Sequence, residues 1–146
     1  MADKVQSYAN HGQLVPMYHY VTLGILVATF IGACVNLSHS WGDPARFYSA
    51  SLLVTLTFAT IVLALYARTF ALKAQDRAIR AEEQLRHYVM TGKLLDPRLD
   101  IRQIIGLRFA SNEEFVALAQ RAADQNMSAK DIKQAVRNWR ADTYRV

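Results

Sequence analysis

Residues 47–67 read FYSASLLVTLTFATIVLALYA, and residues 68–88 continue RTFALKAQDRAIRAEEQLRHY. The first segment holds no charged side chain, and at about 1.5 Å rise per residue it is long enough to cross the ~30 Å hydrocarbon core of a bilayer. The second is amphipathic and mixed in charge. No Gly or Pro interrupts Phe47–Tyr88, so nothing obliges the helix to stop where the apolar run ends. The pattern predicts one long helix, half in lipid and half in water.

Working outward, a second charge-free run lies upstream. Leu14–Gly42 has no Asp, Glu, Lys or Arg. Pro16 opens a predicted first span, Met17–Leu37, whose length matches the second span, Phe47–Ala67. The intervening Ser38–Arg46, SHSWGDPAR, contains the turn signal Gly42-Asp43-Pro44. So short a loop predicts an antiparallel hairpin. Trp41, Phe47 and Tyr48 suit one interfacial belt, while Tyr18, His19, Tyr20, Tyr66, Phe70 and Arg68 suit the other.

Charge gives the expected orientation. All but two of the 17 Lys and Arg, and all but two of the 12 Asp and Glu, lie from Arg68 onward, so that half carries the net +5. Lys4, Arg68, Lys73, Arg77, Arg80 and Arg86 flank one side of the predicted hairpin, against Arg46 alone on the other. The positive-inside rule then puts both termini in the cytoplasm and the loop outside. Ile31-Gly32-Ala33-Cys34 resembles a lipoprotein cleavage site. The apolar run continues past Cys34, however, and Lys4 is far from its start, so a retained span is the reading adopted. With Cys34 the only cysteine, no intrachain disulfide or multi-Cys zinc site can form.

The expected domain plan is therefore an N-terminal cytoplasmic tail (1–16), a transmembrane hairpin (17–67), an amphipathic extension helix (68–91) and a small cytoplasmic helical domain (92–146). The tail is expected to be flexible or surface-lying. In the extension, Asp76/Arg80, Glu82/Arg86 and Glu83/His87 are i,i+4 pairs. Leu65, Leu72 and Ile79 recur every seven residues. The plainer reading lays this helix on its own C-terminal domain; a coiled coil is the sharper one. Thr91-Gly92 should end it. Beyond, Asp96-Pro97 predicts a helix start with Gly106 as its stop. Ser111-Asn112-Glu113-Glu114 predicts a capping box for a second helix. Ser128 should open a third, carrying Ile132, Ala135, Val136 and Trp139 on one face. The fold class expected is an all-α membrane protein: a two-helix hairpin, an extended second helix and a small bundle of short helices.

Several words in the chain resemble a family. They are Asn10-His11, Val15-Pro16-Met17-Tyr18-His19-Tyr20, Tyr66–Leu72, Gln75-Asp76-Arg77, Gly106–Ser111, Ile132-Lys133 and Asn138-Trp139-Arg140. They are similar to an uncharacterised family of short bacterial two-span membrane proteins, classed as a domain of unknown function. The resemblance implies topology and supplies no activity or catalytic residue.

Candidate chemistry is sparse. His11, His19, His39 and His87 are scattered and lack acidic companions at metal-ligand spacing. Thr91-Gly92-Lys93 lacks the spacing of a phosphate loop, and no Ser or Thr has an evident base. No catalytic, metal or cofactor residue is assigned, no small-molecule substrate is identified, and an enzyme is not expected.

Packing faces are the stronger signal. Gly24, Ala28, Gly32 and Asn36 recur every four residues on the first span. Ser51, Thr55 and Ala59 form one stripe on the second, and Thr57, Thr60 and Ala64 another. Small residues let helices approach closely in lipid. These stripes serve the hairpin itself, or one serves the hairpin and another a second protein. In the last helix Lys130, Lys133, Arg137 and Arg140 would make a basic stripe, either solvated or facing anionic lipid or an acidic partner.

The function expected is a non-enzymatic scaffold or accessory subunit of the bacterial inner membrane. Its partners would be the bilayer, a second copy or larger membrane complex, and a cytoplasmic protein. The alternatives are an oligomeric small pore or transporter component, or a membrane-tethered nucleic-acid-binding module. The second is weak because cations and acids almost balance over Ser111–Val146.

Overall fold

The structure is a computed structural model that describes residues 6–10, 12 and 14–142. Lys4 and His11, used in the readings above, and the last four residues of the Ser111–Val146 stretch lie outside these residues. Among the described residues the chain is all-helical, with one isolated β-bridge and no strand. It divides into two compact units, Leu14–Ala71 and Leu72–Arg145, the latter taking in the N-terminal stretch.

The helix read from residues 47–88 is present as α2, Pro44–Thr91, 48 residues without a break. Its predicted stop is also present. Gly92 adopts φ +71° and donates its N–H to Tyr88 O at 2.7 Å, a left-handed termination that glycine enters without a Cβ penalty.

In the first unit, a π-helical turn over Met17–Thr22 leads into α1, Leu23–His39. Only four residues, Ser40–Asp43, separate α1 from α2, fewer than the expected loop. Gly42 supplies φ +98°. The Asp43 carboxylate then accepts the Ala45 and Arg46 N–H groups at 3.1 and 3.2 Å, with Pro44 at the first helical position. An exposed Arg46–Asp43 ion pair at 3.2 Å closes the same corner.

The two helices run antiparallel. Trp41 meets Phe47 edge-on at 5.4 Å, Phe30 lies 6.2 Å from Phe58, and the Tyr18 hydroxyl donates to Ala64 O. Contacts thus descend α1 as they climb α2. Leu23, Leu26, Phe30, Ala33, Leu37 and Ser40 withdraw from the surface at alternating three- and four-residue steps. On α2, Ala50, Val54, Thr57, Ile61, Ala64 and Arg68 do the same. A mean step of 3.5 residues is the seam of left-handed antiparallel packing.

In the second unit, the C-terminal part of α2 carries a bundle of α3 (Ile101–Leu107), α4 (Asn112–Asp124) and α5 (Ala129–Ala135). Phe109, Phe115, Ile104, Leu107 and Ile132 are fully buried at its centre. The expected start at Asp96 is corrected. Asp96-Pro97 forms a turn, and Asp100 caps α3 through a reciprocal box with Gln103, both bonds being 2.7 Å. Nor is Gly106 a stop. It lies inside α3, where an added Cβ would sit 3.2 Å from Ala129 O and from Ile132 Cγ2, so its lack of a side chain lets α5 cross closely. Ser111 caps α4 by position but makes no side-chain cap bond. The expected partner Glu114 instead accepts the Arg137 and Asn138 N–H groups at 3.2 and 3.0 Å. Asn126, at φ 47°, ends α4, with Met127 N–H reaching back to Ala122 O at 3.1 Å. Ser128 caps α5 as expected.

The third predicted helix ends early. Val136 turns extended, and Trp139 joins Ala110 in the antiparallel bridge. The N-terminal stretch, expected to be flexible or surface-lying, is tied to the second unit at Gln6. Its amide accepts from Asp142 N–H at 2.7 Å and donates to Asp142 O at 3.5 Å.

Candidate functional site

The first candidate is the outer surface of the two long helices in the Leu14–Ala71 unit. Only 6% of the most apolar window of the first helix and 11% of that of α2 is buried. Both are long and apolar enough to cross a membrane. A core helix of a soluble protein would be covered by its own chain; these are not.

The small-residue stripe needs correcting in its simpler form. Gly24, Ala28, Gly32 and Asn36 are exposed and take no part in the intrachain seam, and a Cβ added at Gly24 or Gly32 meets nothing within 4 Å. Ser51 is half-buried, whereas Thr55 and Ala59 are exposed. The hairpin packs instead through the Leu, Phe and Ala seam of α1 against Thr57 and Ala64 of α2, because bulkier residues at 3.5-residue spacing already fill the gap. The four-residue stripe is left pointing outward.

Serine and threonine hydroxyls on these helices bond back to their own backbone. Thr29, Thr55, Thr57, Thr60 and Thr69 hydroxyls each donate to the carbonyl one turn back at 2.7–2.9 Å, and Ser51 donates to Tyr48 O at 2.7 Å. That pattern removes the desolvation penalty of a hydroxyl in an apolar medium.

Of the expected interfacial residues, Tyr20, Trp41, Tyr48 and Tyr66 are exposed. Tyr18, His19 and Arg68 are partly covered. The Arg68 guanidinium lies 5.9 Å from the Tyr18 ring centroid, and the Val15 N–H donates to His19 Nδ1 at 3.1 Å. Cys34 is exposed on α1.

The second candidate is a polar cleft of about 530 Å³ in the Leu72–Arg145 unit, lined by Glu82, Glu83, Arg86, Ser111, Asn112, Glu113 and Arg140. Glu83 is 3% exposed, and its carboxylate is held by Arg86 at 3.0 Å and by Arg140 at 3.3 Å. Arg86 also donates to Ala110 O at 2.8 Å and Asn112 Oδ1 at 2.7 Å, and stacks 4.1 Å over Phe115. The neighbouring Ser111 side chain, then its own backbone N–H and the Arg86 charge, hold the Glu113 carboxyl below its ordinary range. Beside the cleft, Arg108 pairs with Asp142 at 3.1 Å. The arrangement is a clamp: its carboxylate and guanidinium saturate each other while joining α2 to the bundle.

Sequence reasoning missed this clamp. It paired Arg86 with Glu82 and His87 with Glu83, whereas Arg86 turns to Glu83 and His87 Nδ1 lies 2.7 Å from Lys93 O. The basic stripe is likewise dispersed, because α5 ends at Ala135. Lys130 is exposed on α5, and Lys133 lies 5.8 Å over the Phe109 ring. Arg137 follows in a bend beyond the helix and Arg140 reaches Glu83. Among the described residues no group of three or more His, Cys, Asp or Glu is placed to hold a metal ion.

A family model, described as a family of unknown function (DUF6526), matches residues 1–146. This chain belongs to DUF6526. No curated protein and no solved structure matches it. In this DUF6526 chain the words behind the resemblance fall at packing points: Tyr18 and Arg68 in the hairpin, Phe109 in the bundle core, and Trp139 and Arg140 at the bridge and clamp.

Proposed function

We propose that this chain is a non-enzymatic scaffold or accessory subunit of the bacterial inner membrane. Its hairpin sits in the bilayer, both termini are cytoplasmic, and the bundle is offered to a cytoplasmic partner. One observation carries the reading: outside their mutual seam, two long helices leave their apolar residues exposed while their hydroxyls bond back to their own backbone. In water such a surface is costly; in lipid it is the required one. The same hydroxyls argue against a pore reading, since a water-lining face needs polar groups free to meet solvent. The outward Gly24–Asn36 stripe supports helix association with another membrane protein.

The test is alkaline extraction of native membranes, followed by detergent pull-down with the chain as bait. Retention in the washed membrane and a stoichiometric membrane partner or self-association are expected. Release by alkali would defeat the membrane reading, and a solitary monomer would defeat the scaffold reading.

A further inference from the structure

The bundle covers one side of α2 and leaves the other side bare. Ile79 and Glu83 are buried against the bundle. On the bare side Ala74, Ala78, Ala81, Leu85 and Tyr88 are all exposed, at steps of four, three, four and three residues, with Ala78 at the edge of the bundle. Leu85 is 63% and the neighbouring Val89 76% exposed, well above what a finished apolar surface leaves to water. A shallow depression of about 370 Å³, lined in part by Leu85, Val89 and Met90, adjoins them. The leucine repeat through Leu72 and Ile79 is unavailable for pairing, because Ile79 is spent within the chain.

We propose that a second copy of this chain docks here in parallel, forming a two-stranded coiled coil along Ala74, Ala78, Ala81, Leu85 and Tyr88. Charge selects the occupant. In this heptad frame Arg77 flanks the seam at the position that, in a parallel pair, faces the residue five further on in the partner. That residue is Glu82. Both are exposed, and among the described residues neither makes an ion pair within the chain. Two-fold symmetry would bring each Arg77 to the partner subunit's Glu82, twice over. The alanines admit close backbone approach, and Leu85 with Tyr88 anchors the end. The sequence writes the same repeat further upstream at Ala67 and Ala71, both exposed. The parallel sense rests on the proposed membrane orientation, in which every copy is inserted the same way.

The experiment uses the full chain in native membranes, with Cys34→Ser as background. Oxidation of Ala81→Cys should give a disulfide dimer, because the seam places each such residue against its own copy. Arg80→Cys, one residue off the seam, should give little. In detergent the Cys34→Ser chain should run at twice the monomer mass. Leu85→Glu and Arg77→Glu should each lose that dimer, and Arg77→Glu combined with Glu82→Arg should regain it. Equal cross-linking at positions 80 and 81, or no rescue by the charge swap, overturns the proposal. So does protection of Leu85 by another polypeptide or by lipid in a monomeric chain. A monomer retained in alkali-washed membranes would defeat the coiled coil alone, whereas a chain released from them would defeat the membrane reading.

Discussion

Gln6 and Asp142, 136 residues apart, hold each other as two strands would: Asp142 N–H donates to Gln6 Oε1 at 2.7 Å, and Gln6 Nε2 donates back to Asp142 O. The side chain of one residue thus serves as backbone partner for another at the far end of the chain. Asp142 is also the residue that receives Arg108. Gln6→Ala should speed amide exchange at Asp142 and cost about 1 kcal/mol, the usual net worth of a hydrogen bond. Unchanged exchange there would mean that the N-terminal stretch is not docked.

Glu83 is the most deeply placed acid of the clamp. Glu83→Gln preserves shape but leaves the half-buried Arg86 without its counter-charge, and should cost about 3 kcal/mol. Faster amide exchange across α3 and α4 reads the loss. Arg102→Gln, on an exposed residue of α3, should change stability by less than about 0.5 kcal/mol.

Two glycines predict opposite outcomes. Gly106→Leu must displace Ala129 and Ile132, and overpacking of this kind costs about 1–3 kcal/mol. A Cβ added at Gly32 meets nothing within 4 Å, so with Gly32→Leu the hairpin should keep its compactness. If the outward stripe binds another membrane helix, Gly32→Leu should still lose that partner in the pull-down.

Acid titration has a defined sign. The Arg98 side chain, and then its backbone N–H, donates to Asp96 and lowers its pKa from 3.8 to about 2. A depressed carboxylate pKa means that the contact contributes stability fully above pH 3.8 and loses it as pH falls through 2. Carboxyl NMR shifts should give an Asp96 midpoint near 2, and Arg98→Gln should return it towards 3.8.

Topology can be read by cysteine labelling in the Cys34→Ser background. A membrane-impermeant maleimide should reach Gly42→Cys from outside intact cells and reach Arg77→Cys only after lysis. The reverse pattern would defeat the orientation drawn from charge.

Where local chemistry acts alone, the sequence was readable. An uninterrupted composition produced α2, Gly92 stopped it, and Ser128 started α5. Where two signals competed, only packing decided. Asp96-Pro97 and Asp100-Gln103 are both plausible caps four residues apart. Leu99 is drawn into the core, and the second cap completes its box there. Trp139 fits a helical period, yet Phe109 accepts the Arg140 N–H at 2.7 Å and draws that segment out as extended chain. The small-residue stripe has the right spacing for close helix contact but the wrong face for this hairpin, since the Leu23–Ser40 seam competes for the same partner. The Glu83 clamp was invisible because its second arginine lies 57 residues downstream.

The corner between the long helices has an electrical consequence. Arg46 is the one cation of that corner, and Asp43, 3.2 Å away, neutralises it. On the proposed topology this corner must be carried across the bilayer when the hairpin inserts. It travels as a zwitterion, so the voltage across the membrane neither drives nor resists its passage. Removing the acid would make the cargo a monovalent cation moving against an inside-negative potential, at about 2.3 kcal/mol per 100 mV.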